Sequence, residues 1–230
     1  MRQERLMALE KTLSGLSGYR GWMIGKCRFS FGREEKPSET LEYLQQSCHL
    51  AVLRADQRLA EVEIINPETG DKLRVMLTGA SPQTRSRTDR AVPEAAGKQL
   101  NTGTETEPGQ VAAERQQAVK AESHQETGGT FRITPEEISA YLHVSEDKNP
   151  IHRGEEAVVP GFLMVNRILE GYGDYITASV RFYLPLQCEE PAKLVEQKTG
   201  EYSRTVELFT DRGRILQMKL QEKDEGGEQL

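Results

Sequence analysis

The feature that most limits the fold of this chain is an internal repeat between residues 1–79 and residues 129–222. In each stretch, an apolar helix is followed by about four β-strands, the last two of which form a hairpin. The matching segments are residues 26–31 with 179–184, 61–64 with 205–208, and 72–77 with 215–220. Each repeat is one supersecondary unit that needs a partner to bury its apolar face, so the pattern predicts two similar lobes that pack together.

Local patterns place the individual elements of each lobe. Leu6, Leu9, Leu13 and Leu16 recur at helical spacing and predict a helix over residues 4–16. Residues 134–137, Thr-Pro-Glu-Glu, are typical of a capped helix start. Residues 41–53 favour a helix at their beginning and a strand at their end. Strands are expected at residues 22–31, 59–65, 72–77, 129–133, 178–186, 193–198, 202–209 and 214–220.

Residues 80–128 differ in character from both lobes. They contain no aromatic residue and few large aliphatic ones, and Thr, Gln, Glu, Ser, Gly and Ala dominate them. Such a segment cannot bury enough apolar surface to offset the entropy of ordering it. We therefore interpret residues 80–128 as a disordered linker. Residues 223–230 are interpreted as an acidic tail.

One stretch of the second lobe contains candidate catalytic residues. Residues 145–152 read Ser-Glu-Asp-Lys-Asn-Pro-Ile-His, which places Asp147 five residues before His152. The Asn149-Pro150 pair prevents one continuous helix, so the two side chains can converge from a kinked loop. A carboxylate and an imidazole around a shared water form a minimal general acid/base device. The structural alternative is that Asp147 caps a turn and His152 packs beside it.

The run Asp-x-Asn-Pro-Ile-His, with Tyr141 before it and Ala157 after it, resembles the signature of the MaoC-like (R)-specific enoyl-CoA hydratases and dehydratases. This resemblance implies a hotdog fold, in which a curved antiparallel sheet wraps around a central helix. Together with the repeat, it predicts an α+β double hotdog. Residues 1–79 are expected to form an incomplete N-terminal half, because they lack a counterpart of the Asp/His loop. Residues 129–222 are expected to form the half that carries the motif.

The resemblance also assigns roles to residues. It implies that Asp147 and His152 are catalytic and that the Gly161 N–H, at the start of the central helix, faces the thioester carbonyl. Asn149 and Tyr141 are assigned to substrate binding, with loop shaping and core packing as their alternatives. Two positions depart from the family pattern: Pro160 stands where the family has a histidine, and Glu146 stands where a glycine often precedes the Asp.

Composition narrows the class of partner. The formal net charge is −6, which does not suggest nucleic-acid binding. The chain has no apolar run long enough for a membrane span and no apolar signal segment near Met1, so we expect a cytoplasmic protein. Cys27, Cys48 and Cys188 have no metal-ligand spacing and are interpreted as free thiols. No metal or redox cofactor is expected. CoA or acyl carrier protein would carry the substrate, and a homodimer or a partner hotdog subunit is expected.

Three functions remain open at this point. The first is hydration of a trans-2-enoyl thioester to the (R)-3-hydroxyacyl thioester, or the reverse dehydration. The alternative is a catalytically degenerate hotdog protein that binds acyl thioesters or supports an active hydratase subunit. Thioester hydrolysis uses the same fold, but the Asp-x-Asn-Pro-Ile-His run fits hydration better.

Overall fold

The computed structural model describes residues 2–16, 21–32, 40–79, 125–154, 156–172 and 175–223. These residues form an α+β structure in which helices pack on one nine-stranded antiparallel sheet. The elements of the first half are α1 (Arg2–Ser14), β1 (Met23–Ser30), α2 (Leu41–Gln46), β2 (His49–Ala55), β3 (Leu59–Asn66) and β4 (Asp71–Thr78). Those of the second half are β5 (Gln125–Phe131), α3 (Pro135–Ser145), a 3-10 turn (Pro150–His152), α4 (Gly161–Leu169), β6 (Tyr175–Phe182), β7 (Ala192–Gly200), β8 (Ser203–Thr210) and β9 (Gly213–Glu222).

The sheet order reproduces the repeat that was predicted from the sequence. The strands run β2-β3-β4-β1-β6-β9-β8-β7-β5 across the sheet. In the repeat, β1 corresponds to β6, β4 to β9 and β3 to β8, so the order on one side of the β1–β6 seam mirrors the order on the other. The α+β prediction is therefore confirmed.

The register at the β1–β6 seam follows the same symmetry. Cys27 lies opposite Val180, which is its own counterpart in the repeat. One pair on either side, Lys26 with Arg181 and Arg28 with Ser179, exchanges under the same alignment. The two half-sheets thus join about a local two-fold axis, and each covers an edge that the other would otherwise expose.

The helices sit where their apolar faces meet the sheet. On α1, Leu6 and Leu9 are buried, and on α4 the buried residues include Val165 and Ile168. Helix α3 begins with the predicted capping box, since the Thr134 hydroxyl accepts from Glu137 N and the Glu137 carboxylate accepts from Thr134 N. This reciprocal pair satisfies two backbone donors that the helix start leaves unpaired.

Several predicted boundaries shift by a few residues in the structure; the strand expected over residues 178–186, for example, is β6 at Tyr175–Phe182. Residues 41–53 contain both elements that the sequence left open, because α2 ends before β2 begins. Strand β5 begins at Gln125, whereas the linker was predicted to run through residue 128 and the strand to begin at 129. Pairing with β7 supplies the backbone hydrogen bonds of this segment, and polar composition alone cannot reveal such pairing. Residues 80–124 and 224–230, the rest of the predicted linker and most of the predicted tail, lie outside the described residues.

The thiols of Cys27, Cys48 and Cys188 are free, as predicted. Among the described residues, no helix has the length and apolar character needed to cross a membrane.

Candidate active site

The loop after α3 brings Asp147 and His152 together. The 3-10 turn is closed by a backbone bond from His152 N to Asn149 O of 3.3 Å, and the Asn149 side chain accepts from Ile151 N at its start. This turn folds the chain back, so that His152 Nε2 lies 3.6 Å from Asp147 Oδ2. The separation exceeds a direct hydrogen bond but suits two groups that share a small molecule between them.

The other ring nitrogen of His152 fixes its tautomer. His152 Nδ1 lies 2.7 Å from the Val158 carbonyl oxygen. A carbonyl oxygen only accepts, so Nδ1 carries the proton and Nε2 of the neutral ring presents a lone pair to Asp147. Burial lowers the pKa of His152 below its ordinary value of 6.5, against the opposing effects of the Val158 hydrogen bond and the Asp147 charge. The ring is therefore neutral at physiological pH and can act as a base.

The Asp147 carboxylate is oriented by its own loop. Its Oδ1 accepts from Asn149 N at 2.8 Å, which leaves Oδ2 directed toward His152. The Asp147 backbone N–H approaches Ser145 Oγ at 3.4 Å, and the Asp147 carbonyl accepts from Arg153. The two facing atoms, Oδ2 and Nε2, are both hydrogen-bond acceptors when His152 is neutral.

Asn149 holds this loop against the first half of the chain. Its Oδ1 accepts from Gly21 N at 3.1 Å, and its Nδ2 donates to Trp22 O at 3.0 Å. Both polar atoms of the side chain are therefore bonded to protein backbone. This arrangement matches the loop-shaping alternative for Asn149, although the residue also borders the cavity described next.

A cavity of about 710 Å³ lies between the two halves and contains all five residues assigned to the site from the sequence, Asp147, His152, Gly161, Asn149 and Tyr141. The volume is in the range typical of small-molecule sites. The first half contributes one wall through α1 and β1, with Leu13 and Trp22 among its residues. The second half contributes the Asp/His loop, the start of α4 and the end of β6. Neither half encloses the cavity alone.

The start of α4 faces this cavity at Gly161. The first intrahelical bond runs from Met164 N to Pro160 O at 3.2 Å, so the N–H groups of the first turn precede the helical ladder. The residue before the helix, Pro160, makes no side-chain capping bond. A Cβ at Gly161 would lie 3.2 Å from two ring atoms of Phe182, which accounts for a glycine here. Unpaired N–H groups at a helix start favour a negatively charged oxygen.

One further residue that lines the cavity was not identified from the sequence. Glu10 of α1 is 2% exposed and lines the cavity. Its Oε2 accepts from the Tyr141 hydroxyl at 3.1 Å, and both carboxyl oxygens lie 3.3 Å from Asn166 Nδ2 of α4. Burial raises the pKa of Glu10 to about 8. Glu10 lies four residues after Leu6 and three before Leu13, which places it on the apolar face of the helix. A carboxylate on that face is the sequence signal that could have identified it.

The second departure from the family pattern, Glu146, lies at the end of α3. It adopts a left-handed backbone conformation with φ 57° and ψ 22°, which a residue with a Cβ adopts at a cost. Its carboxylate pairs with Lys11 of α1 at 3.0 Å. A glycine fits this position for a backbone reason, and the glutamate adds a contact to the other half.

No protein-family model matches the chain, and no curated protein matches it in sequence. Solved structures do match. HtdX from Mycobacterium tuberculosis has a TM-score of 0.58 at 14% identity, over 95% of this chain and 84% of that one.

Two further solved structures differ in the chemistry that their names give. A MaoC-like dehydratase from Phytophthora capsici matches with a TM-score of 0.55 at 14% identity, over 93% of this chain and 74% of that one. An acyl-ACP thioesterase from Bacteroides thetaiotaomicron matches with a TM-score of 0.53 at 12% identity, over 88% and 76%. At these identities the similarity confirms an α+β hotdog fold, and the neighbours with this fold include both dehydratases and thioesterases.

Proposed function

We propose that this protein adds water reversibly across the 2,3 double bond of a trans-2-enoyl thioester. The observation that carries the proposal is the pair of acceptor atoms, His152 Nε2 and Asp147 Oδ2, 3.6 Å apart in a cavity that Gly161 also lines. The fold shared with a MaoC-like dehydratase supports it. The substrate carrier would be CoA or acyl carrier protein.

The geometry suggests how the water is held. Because both facing atoms accept, a water molecule can direct one O–H to His152 Nε2 and the other to Asp147 Oδ2. Its lone pairs then point away from the pair and toward the cavity, where the double bond would lie. Positioning a reactant in this way removes much of the entropic barrier to its attack.

The same pair of residues can take a proton from the water and return it to the substrate, so the reaction needs no other acid or base. One of the two groups takes a proton from the water, and the oxygen bonds to C3 of the enoyl chain. The electron pair of the double bond moves toward C1, and the thioester oxygen gains negative charge that the Gly161 N–H stabilises. The proton returns from the same pair to C2. Since hydroxyl and proton arrive from one side, the addition is expected to be syn.

Substitution of the pair tests this proposal. Asp147→Asn or His152→Ala is expected to lower kcat for hydration of crotonyl-CoA by at least about a hundredfold, the lower bound typical for loss of a general acid or base. The matched controls are Asp211→Asn and His143→Ala, which change exposed residues outside the cavity. Thermal unfolding of each variant separates lost chemistry from lost structure. Wild-type rates in both site variants would contradict the proposal.

Two other functions give different results in the same assays. A non-catalytic binder would bind crotonyl-CoA in a titration without turning it over, or would act only when a second subunit is added. A thioesterase, the activity named for one structural neighbour, would release free CoA from a saturated acyl-CoA. The acceptor pair favours hydration because it can hold a water against a double bond and return the proton to carbon.

A further inference from the structure

The face of the sheet that points away from the helices carries a cluster of positive charge on its four central strands, β4, β1, β6 and β9. Residues of these strands alternate between the buried core and this outer face. Six of the outer residues are exposed cations, which we call the basic face: Lys72, Arg74, Lys26, Arg28, Arg181 and Lys219.

The four central strands supply no carboxylate that neutralises the basic face. Strands β1 and β6 contain no acidic residue. Asp71 of β4 is buried, and Glu222 of β9 pairs with Arg204. Within the described part of the chain, Arg74 is the one cation of the basic face that forms an ion pair, with Glu61 of β3. Positive charge is therefore concentrated on one surface of a chain whose formal net charge is −6.

Two cross-strand pairs in the basic face place like charges directly opposite each other. Arg28 lies opposite Arg74 between β1 and β4, and Lys26 lies opposite Arg181 across the β1–β6 seam. Like charges in such pairs destabilise a sheet, because directly opposite side chains are close neighbours. The fold gains nothing from this arrangement, whereas a negatively charged partner would be attracted by it.

The basic face adjoins the end of the sheet where the cavity reaches the surface. Gly25 and Phe182 line the cavity. Lys26 directly follows Gly25 in the chain, and Arg181 directly precedes Phe182. Tyr183, which also lines the cavity, is 40% exposed. A partner bound to the basic face is therefore placed to deliver a substrate into this end of the cavity.

The extent of the basic face favours a protein over a small ligand. Four strands with a spacing of about 4.8 Å span roughly 14 Å, and none of the six cations lines the cavity. Glu61 and Glu63 on β3 and Glu207 on β8 flank the basic face. These glutamates would repel the phosphates of a nucleic acid that extends past its edges. A bounded basic surface fits the acidic surface of a small folded protein.

We propose that the basic face docks an acidic carrier protein that bears the acyl thioester on a flexible arm. The inference rests on the proposed hydration activity and selects between its two carriers, acyl carrier protein and CoA. Complementary charge at such a surface accelerates association, and salt weakens the effect.

Titration of the full chain with crotonyl-acyl carrier protein measures docking without turnover. Lys26→Glu combined with Arg28→Glu is expected to weaken binding at least about tenfold. Binding to wild type should also weaken as NaCl rises from about 50 to about 200 mM. The matched control is Arg54→Glu combined with Lys198→Glu, which makes the same change in net charge at exposed positions of β2 and β7 and should leave binding unchanged.

The inference fails if wild type does not bind the carrier protein, or if the Lys26→Glu, Arg28→Glu variant binds it as tightly as wild type does. It also fails if wild type binds duplex DNA or phosphatidylserine vesicles more tightly than the carrier. Thermal unfolding establishes whether the variant folds. If it does not, Arg181→Gln combined with Lys219→Gln removes two other cations of the basic face, and it is also expected to weaken binding.

Kinetics with the two carriers separate this inference from the proposed function. Lys26→Glu combined with Arg28→Glu should lower kcat/KM for crotonyl-acyl carrier protein and leave that for crotonyl-CoA nearly unchanged. Equal losses for both substrates would assign the basic face to the phosphates of CoA and refute the inference. Carrier binding that depends on the basic face, with hydration of neither thioester, would refute the proposed function and retain the docking surface.

Discussion

The two halves of this molecule share a strand order and a central helix but use the helix differently. In the second half, the start of α4 faces the cavity through Gly161 and Phe162. The two helices of the repeat also match, Leu6-Met7 of α1 with Leu163-Met164 of α4, so Arg5 takes the place of Phe162. Arg5 does not border the cavity; it is 3% exposed and pairs with Asp71, which is 1% exposed.

This difference shows how one site can arise from two similar halves. The second half supplies the facing pair Asp147 and His152, the loop that orients them and the helix start. In the first half, the position equivalent to Phe162 holds the buried Arg5–Asp71 ion pair and does not border the cavity. This half contributes other residues to the cavity wall, including Glu10. Asn149 then fixes the loop to the backbone at Gly21 and Trp22. The repeated architecture therefore encloses a composite cavity, to which the two halves contribute different residues.

The largest expected effect on stability comes from the ion pair of the first half. Arg5 Nε donates to Asp71 Oδ2 at 2.7 Å, and Asp71 Oδ1 also accepts from Gly32 N at 3.0 Å. Arg5→Met leaves the Asp71 carboxylate buried without its cation, which is expected to lower the free energy of unfolding by about 3–5 kcal/mol. Urea denaturation measures the change.

The matched control for that variant is Arg74→Met, which breaks an exposed pair between Arg74 and Glu61. Its expected cost is much smaller than that of Arg5→Met, since exposed pairs contribute little. An equal decrease in the free energy of unfolding for the two variants would show that the buried Arg5–Asp71 pair stabilises the first half no more than an exposed pair does.

Glu10 gives the next largest effect, and its size depends on pH. In the unfolded chain the carboxyl ionises near 4.5, whereas in the folded chain it keeps its proton to about pH 8. The folded state thus loses relative stability as pH rises between these values. Glu10→Gln does not titrate, so its stability relative to wild type should increase over this interval by a few kcal/mol.

Thermal unfolding of wild type and Glu10→Gln across this pH range makes the comparison. Glu4→Gln is the control, because Glu4 is exposed on the same helix and its substitution should leave the pH dependence unchanged. If the difference in stability between wild type and Glu10→Gln is the same at every pH, Glu10 is not a buried neutral acid. The first half would then not contribute a neutral carboxyl group to the cavity wall.

The smallest effect is expected at Glu146. Glu146→Gly removes the cost of a left-handed conformation for a residue with a Cβ, about 1 kcal/mol. It also removes the contact with Lys11, a pair in which the glutamate side chain is 62% exposed and which therefore contributes little to stability. A small net gain in the free energy of unfolding is expected, measurable by denaturation. A clear loss would mean that Lys11 and Glu146 hold the halves together more strongly than exposure suggests.

Local patterns predicted much of this structure, and tertiary contacts set the rest. The Thr134 capping box, the Asp147–His152 loop and the helix at Gly161 are encoded within a few residues each, and all were predicted in place. The burial of Arg5 and Glu10 depends on Asp71, Tyr141 and Asn166, which lie far away in sequence. The leucine spacing of α1 predicts a helix, but it does not show which elements cover the charged residues between the leucines.

The pH dependence of kcat/KM for hydration of crotonyl-CoA tests most directly the claim that a neutral His152 and Asp147 together activate water. Because burial lowers the pKa of His152 below 6.5, activity should be present at neutral pH and be lost only as pH falls below 6.5, where the ring becomes protonated and Nε2 no longer accepts. A rate that instead rises as pH falls through 6.5 would contradict the account.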